Sequence, residues 1–309
     1  MSRELHHRLT EELRAFTSRP LFDEGMILKK DPAYPKISIV TPSFNQGEFL
    51  ETTILSILNQ NYPNLEFIIM DGGSTDDSVA IIKKYERYVD YWTSEKDKGQ
   101  SDAINRGFER STGTILAHLN SDDVYWPGAL REAAEYFRAH PGVDVMFGDT
   151  YLIDERNEVF RVLKDAPAFR SSIRYGAAHL VQPNAFWTRD IFFRAGMYDL
   201  SFHYCMDAEL WSQILKLRGR FHHLRRPLAC FRLHRTGKMA ATAAVDQALT
   251  IILNKRYAGG YRQFSYYFFY YLCQARRMAF YLIQGDAGYI LPRAWEKFWS
   301  IIRYLARSL

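Results

Sequence analysis

Cysteine is scarce in this chain. Cys205, Cys230 and Cys273 are its three copies, and no two form a CxxC spacing. That argues against a disulfide framework or a zinc ribbon and fits a reducing compartment. Uninterrupted apolar runs long enough to span a bilayer are missing too, and Met1 to Arg14 is too polar and too charged for a signal peptide. There is no GxGxxG and no Walker lysine motif. The first strand-to-helix turn holds only Pro42 and Gly47. Without close-packed glycines a dinucleotide pyrophosphate cannot settle on that helix N-terminus, which counts against a dinucleotide-binding oxidoreductase.

What is present is an ordinary globular composition. The chain has 309 residues, 47% hydrophobic and 24% charged, enough for one large domain or two. Its net charge of +5 is unevenly placed: Lys255 to Leu309 carries nine Lys or Arg against Asp286 and Glu296. The basic character therefore belongs to the tail, and the body gives no reason to expect nucleic acid as a partner.

Residues 1–33 read as a short amphipathic helix (Leu5, Leu9, Leu13, Phe16) with an irregular lead-in. From Lys36 the pattern becomes regular. Strands are expected at 37–40, 65–70, 89–93, 114–117 and 143–147, with helical spacing between the first four. Ser74 and Asp77 form a capping-box pattern for the second of these helices, and Ser101 is placed to cap the third. Alternation of this kind means a parallel βαβ sheet. The loops 41–45, 71–77, 94–100 and 120–123 then collect outside the carboxyl ends of the strands, where open α/β sheets bind ligands. The last contains Asp122 and Asp123, and Pro127 is expected at the first position of a helix over 127–139. Two crowded carboxylates repel unless a cation joins them, and a divalent metal holding a phosphate does so.

Five segments carry a resemblance. Pro-Ser-Phe-Asn at 42–45, Asp-Gly-Gly-Ser-Thr-Asp at 71–76, Asp-Lys-Gly-Gln-Ser-Asp-Ala-Ile-Asn at 97–105, Asn-Ser-Asp-Asp at 120–123 and Met-Asp-Ala-Glu-Leu-Trp at 206–211 occur in the order and spacing of family 2 glycosyltransferases. The chain resembles that family over about 36–237. The resemblance implies a GT-A, Rossmann-like α/β fold, with a mostly parallel central sheet flanked by helices and a C-terminal helical extension. It places Pro42 and Phe44 at a nucleobase pocket with Asp71 nearby, Lys98 within reach of the nucleotide, and Asp122 on a Mn2+ or Mg2+ ion. Asp123 is a second metal ligand or a supporting acid, Asp207 the general base, and Arg232 and His234 belong to a loop closing over the diphosphate. Gly72, Asn120 and Met206 depart from the family pattern, where acids are frequent.

The implied reaction moves a sugar from a nucleotide diphosphate donor (UDP, GDP or dTDP) to an acceptor hydroxyl, with inversion, on a glycan or lipid-linked acceptor. Two other classes are a nucleotide-sugar-binding or scaffold protein without activity, against which Asp122 and Asp207 stand, and a nucleotidyltransferase. The latter wants a glycine-rich basic signature where Pro42-Ser43-Phe44-Asn45 lies. The expected division is a lead-in (1–33), a catalytic domain (34–238) with nucleotide (36–125) and acceptor (126–238) halves, and a basic aromatic tail (239–309). Aromatics at 266–271, Arg276-Arg277 and an apolar stripe from Trp295 to Leu305 suit a helix lying in anionic headgroups. A peripheral enzyme on the cytoplasmic face of the plasma membrane follows as the expectation; an alternative use of the tail is packing or a dimer face.

Overall fold

The computed structural model describes residues 2–164, 180–235, 237, 263–283 and 285, with side chains from 272 onward in the last helix. Helices α1 (Arg3–Thr17) and α2 (Glu24–Lys29) precede a regular alternation: β1 (Ile37–Ser43), α3 (Gly47–Leu58), β2 (Leu65–Asp71), α4 (Ser78–Tyr85), β3 (Tyr91–Ser94), α5 (Gln100–Arg110) and β4 (Ile115–His118). β1 lies between β2 and β4, parallel to both, and β3 extends the sheet beyond β2. Every residue of β1 is buried, as expected for a central parallel strand covered on both faces.

After Asp123 the connectivity changes. The elements are β5 (Val124–Tyr125), α6 (Ala129–Ala139), β6 (Val145–Ile153), β7 (Val159–Leu163), β8 (Ala185–Thr188), α7 (Arg189–Arg194), α8 (Met206–Lys216) and β9 (Phe221–Arg232). β8 is antiparallel to both β4 and β6, whereas β9 runs parallel to β6 and antiparallel to β5. The described strands make one nine-stranded sheet ordered β3-β2-β1-β4-β8-β6-β9-β5, with β7 paired to β6. It is the α/β sheet flanked by helices that was expected, parallel through β3, β2, β1 and β4 and mixed beyond them.

Four local expectations are corrected. Gly128, at φ 84°, caps α6, so the helix starts at Ala129 and Pro127 sits in the turn before it. Ser74 does not form a capping box. Its hydroxyl accepts the Asn45 N–H (2.8 Å), while Asp76 accepts the N–H groups of Gly47 (2.8 Å) and Ser78 (3.0 Å), so bonds across two loops displace the local motif. Ser101 lies inside α5, which is capped instead by Gly99 at φ 107°, a left-handed conformation that favours glycine. The third strand starts at Tyr91 rather than Val89, because a single 3₁₀ turn at Glu86–Tyr88 precedes it.

The N-terminal segment is built into the body. Leu9 and Leu13 of α1 pack with Val124, Trp126, Ile153, Val159 and Cys230. Asn59, after α3, accepts the Leu21 N–H (2.7 Å) and donates to the Phe16 carbonyl (2.5 Å).

Helix α9 (Gln263–Ile283) belongs to a second compact unit. Cys273, Arg277 and Tyr281, four residues apart, form its buried stripe, and Arg277 Nε donates to the Tyr281 hydroxyl (2.9 Å). Leu272, Met278, Leu282 and Ile283 are exposed. The side chains of 266–271 and the apolar pattern from Trp295 to Leu305 lie outside the described residues. No described helix is long and apolar enough to cross a membrane.

Candidate active site

The loops following β1 to β4 meet at one edge of the sheet and are tied to one another by backbone. Ser43 accepts the Gly72 N–H (2.8 Å), and Asp71 accepts the Glu95 N–H (3.0 Å). Asn45 takes φ 52° and accepts the Thr75 N–H (2.8 Å). Pro42 is buried within β1, whereas the next aromatic, Phe44, is 60% exposed. An exposed large aromatic on a loop held this firmly is available to a flat ligand. Asp71 is turned the other way. It is 2% exposed, and its oxygens accept the Gly73 N–H (3.1 Å), the Ser74 N–H (2.8 Å) and hydroxyl (2.5 Å), and the Ser94 hydroxyl (2.6 Å). It therefore organises its loop. Lys98 is exposed at the same edge, its backbone N–H bonded to Asp102 (3.1 Å).

The acidic turn is fixed from both sides. Thr53 of α3 directs its hydroxyl at the carbonyls of Ser121 (2.9 Å) and Asp123 (2.7 Å). Asp123 faces inward, 1% exposed, accepting the Arg232 N–H (2.9 Å) and the Asn120 amide (3.2 Å). Burial, with repulsion from Asp122, pushes its carboxyl well above the usual range. Arg232 is 3% exposed and also faces inward. Its guanidinium donates to the carbonyls of Asp122 (2.7 Å) and Asp154 (2.8 Å) and lies over the Phe49 ring at 4.7 Å. Asp122 is half-buried, with Oδ2 2.9 Å from Nε2 of His234, whose ring meets Phe49 edge to face. Of the expected group, then, Asp122 and His234 come together as candidate ligand contacts, while Asp123 and Arg232 support the turn from beneath.

Asp207 lies in the first turn of α8, after Cys205 in the left-handed region at φ 55°. Burial raises its carboxyl above the ordinary aspartate range, partly offset by backbone N–H groups at 207 and 208. Two consecutive residues of α5 connect this helix to the acidic turn: Gln100 donates to Asn120 (2.6 Å), and the Ser101 hydroxyl donates to the sulfur of Met206 (3.1 Å). One turn on, Asn105 clamps the Tyr198 peptide, donating to its carbonyl (2.8 Å) and accepting its N–H (3.0 Å). The Tyr198 hydroxyl lies 3.1 Å from Nδ1 of His118 at the end of β4, and the negative charge of Asp207 helps raise that phenol. His118 is fully buried, and burial pushes its imidazole down to about 3, so it stays neutral. Gln182 donates to the His118 carbonyl (2.6 Å).

Sequence reasoning did not single out Thr53, Asn105, His118, Gln182 or Tyr198. Asn105 ends a recognised motif and could have been found; Tyr198 and Gln182 carry no local signal. His222 and His223 lie against Tyr136 (3.2 Å) and Asp149 (2.9 Å).

Comparison with known proteins fits this geometry. The model of Glycosyl transferase family 2 matches residues 38–197, more than half of the chain. The chain belongs to this family and is a glycosyltransferase. An uncharacterized glycosyltransferase of Mycobacterium tuberculosis is 31% identical over 177 residues, spanning 57% of this chain and 67% of its own. Among solved structures, S. aureus TarS 1–349 in complex with UDP-GlcNAc aligns with a TM-score of 0.58 at 16% identity, covering 70% of this chain and 65% of that one. The mannosyltransferase PcManGT from Pyrobaculum calidifontis, in complex with GDP-Man and Mn2+, aligns at 0.60 and 16% identity over 97% of this chain and 88% of its own. At such identities these two structures establish the fold. The chain spans just under two thirds of the TarS fragment.

Proposed function

We propose that this glycosyltransferase moves a sugar from a nucleoside diphosphate to an acceptor hydroxyl by a single inverting displacement, with Asp207 as general base. The observation that carries the reading is the pair Gln100 and Ser101. Adjacent on α5, one holds the acidic turn and the other the residue preceding Asp207. Those two contacts support a reading in which the donor-side and acceptor-side acids share one edge.

Asp122 and His234 are the residues that would hold a divalent ion. The donor set fits Mn2+ or Mg2+ sparingly: one carboxylate whose Oδ1 has no protein partner among the described residues, and one imidazole nitrogen 2.9 Å from its Oδ2. No cluster of three or more His, Cys, Asp or Glu suited to a metal exists among the described residues. Such a sparse protein set would suit an ion that is otherwise held by substrate phosphates and water, the usual condition for magnesium. The chemistry it would supply is neutralisation of charge on the departing diphosphate. Asp123 and Arg232 keep Asp122 in place. Phe44 offers its face to the base, and Lys98 is free to swing towards the phosphates.

On the other side Asp207 takes the acceptor proton as the hydroxyl attacks. A carboxyl raised by burial is a stronger base than a solvated one, which suits the role near neutral pH. With the acceptor activated on the face opposite the leaving group, the proposed transfer is a single displacement and inverts the anomeric centre. We assign the acceptor to a glycan or lipid-linked glycan in polysaccharide or glycoconjugate assembly. We further assign the enzyme to the cytoplasmic face of the plasma membrane, held there peripherally by residues 264–309. The exposed Leu272, Leu282 and Ile283 of α9, with the excess of Lys and Arg beyond 254, support that placement.

The decisive experiment is thermal unfolding with UDP, GDP and dTDP, each with and without Mn2+. A ligand that binds the folded state raises the melting temperature by mass action. The expected result is stabilisation by one diphosphate that needs the metal; a flat response to all would remove the reading.

A further inference from the structure

We propose that the carboxylate of Asp97 reads the hydrogen-bonding edge of the donor's base, restricting the enzyme to bases that present an imino N–H: uracil, thymine or guanine. The inference rests on the nucleotide-sugar reading above and deepens it.

Its starting point is Gly72, which directly follows β2. A Cβ at position 72 would lie 2.9 Å from Oδ2 of Asp97 and 3.4 Å from the Phe44 ring. The place that a side chain at 72 would enter is thus taken by a carboxylate from the neighbouring loop. Asp71 cannot serve instead, since its oxygens are committed to Gly73, Ser74 and Ser94 inside the loop. Glu95 is paired with Arg106. Asp97 differs from both: Oδ1 accepts the Gly99 N–H (2.7 Å), fixing the side chain, while Oδ2 has no hydrogen-bond partner among the described residues. It is half-buried beside the exposed Phe44.

A base stacked on Phe44 would turn an edge towards that oxygen. A carboxylate accepts and never donates. Uracil and thymine offer N3–H, and guanine offers N1–H with an adjacent amino group. Cytosine presents a bare N3 acceptor, which the carboxylate repels. An unmatched polar group in such a pocket rejects a ligand more strongly than a lost apolar contact.

The test is titration calorimetry in Mn2+ with UDP, dTDP, GDP and CDP, using inorganic pyrophosphate as a base-free probe. The wild-type chain should bind at least one of the first three tighter than CDP. Asp97→Asn keeps the Oδ1 acceptor for Gly99 and gains an amide donor that matches cytosine. It should weaken the preferred nucleotide about 10- to 100-fold, the loss expected for one charge-assisted bond, raise the relative affinity for CDP, and leave pyrophosphate unchanged. Phe44→Ala should weaken all four without reordering them. Equal losses for nucleotides and pyrophosphate in Asp97→Asn, or an unchanged order of bases, would overturn the assignment to Asp97 alone. A wild-type chain that binds pyrophosphate but no nucleotide overturns the nucleotide reading and this inference together.

Discussion

The proposed nucleotide half and the proposed acceptor half share one sheet but hold their candidate functional groups in different ways. In the first, each ligand loop follows directly from a buried parallel strand, and its bonds run to the next loop along the edge: Ser43 to Gly72, Asp71 to Glu95. In the second, α5 reaches forward about a hundred residues: Ser101 meets Met206, at the start of the helix that carries Asp207, and Asn105 fixes the Tyr198 peptide ahead of it. A site on adjacent loops tolerates change in any one of them. A site held by a few distant clamps depends on each clamp.

Predictions that probe this contrast differ in size. Asp207→Asn should break the two halves apart most cleanly. Transfer should fall about 10²- to 10⁴-fold, the range for a lost general base, while nucleotide binding by calorimetry stays intact. The same residue sets a pH limb: its proton must be off for it to act, so kcat should rise with pH through its titration. Because burial raises that carboxyl, the limb should lie above the ordinary aspartate range and vanish in the variant. Asp122→Asn addresses the other half. It should abolish the metal-dependent part of nucleotide stabilisation, which at a ligand concentration 100 times Kd is worth about 2.7 kcal/mol; a persistent metal requirement would move the ion elsewhere.

Smaller effects test the clamps. Asn105→Ala removes both bonds to the Tyr198 peptide and should cost about 1–3 kcal/mol of stability by denaturant unfolding. Assayed well below its melting temperature, it should lower kcat while sparing donor affinity. Loss of donor affinity instead would show that the clamp serves the nucleotide half. Tyr198→Phe, which keeps that clamp and removes the contact with His118, should do less. Thr53→Val, within the nucleotide half, should cost about 1 kcal/mol and weaken metal-dependent binding only slightly, because Asp123, Arg232 and Asn120 still hold the turn.

The same contrast explains what could be read from the residues alone. Ile37 to Val40, Leu65 to Met70 and Ile115 to Ala117 are largely apolar runs, followed within a few residues by Ser43 and Asn45, Asp71 and Gly72, and Asn120 and Ser121, so the strands and the edge their loops share were legible. Asp122 and Asp207 stand in motifs that are in register, which is what makes them candidates. Side-chain direction was not legible. Arg232 reads as a basic residue on a closing loop, yet β9 lies alongside β6, and that pairing points the guanidinium at Asp122 and Asp154 from inside. The turn at 71–77 likewise carries a local capping pattern, but Asn45 and Gly47 outcompete it from another loop. Nothing in the segments around Tyr198 and Gln182 announces their partners, because those partners are defined only when β8 inserts antiparallel between β4 and β6.

The pairing of β5 with β9 also has a bearing on how the enzyme is made. Val124 sits opposite Cys230, and the Asp123 carboxylate waits for the N–H of Arg232. A ribosome emits residue 123 long before residue 232, and domains fold as their parts emerge. During that interval the first four strands can assemble, but the acidic turn has neither its edge strand nor its counter-charge. A nascent chain therefore completes its acidic turn only once residue 232 has emerged, and a fragment stopped at residue 125 should retain two unquenched acids where the complete protein has an ordered turn.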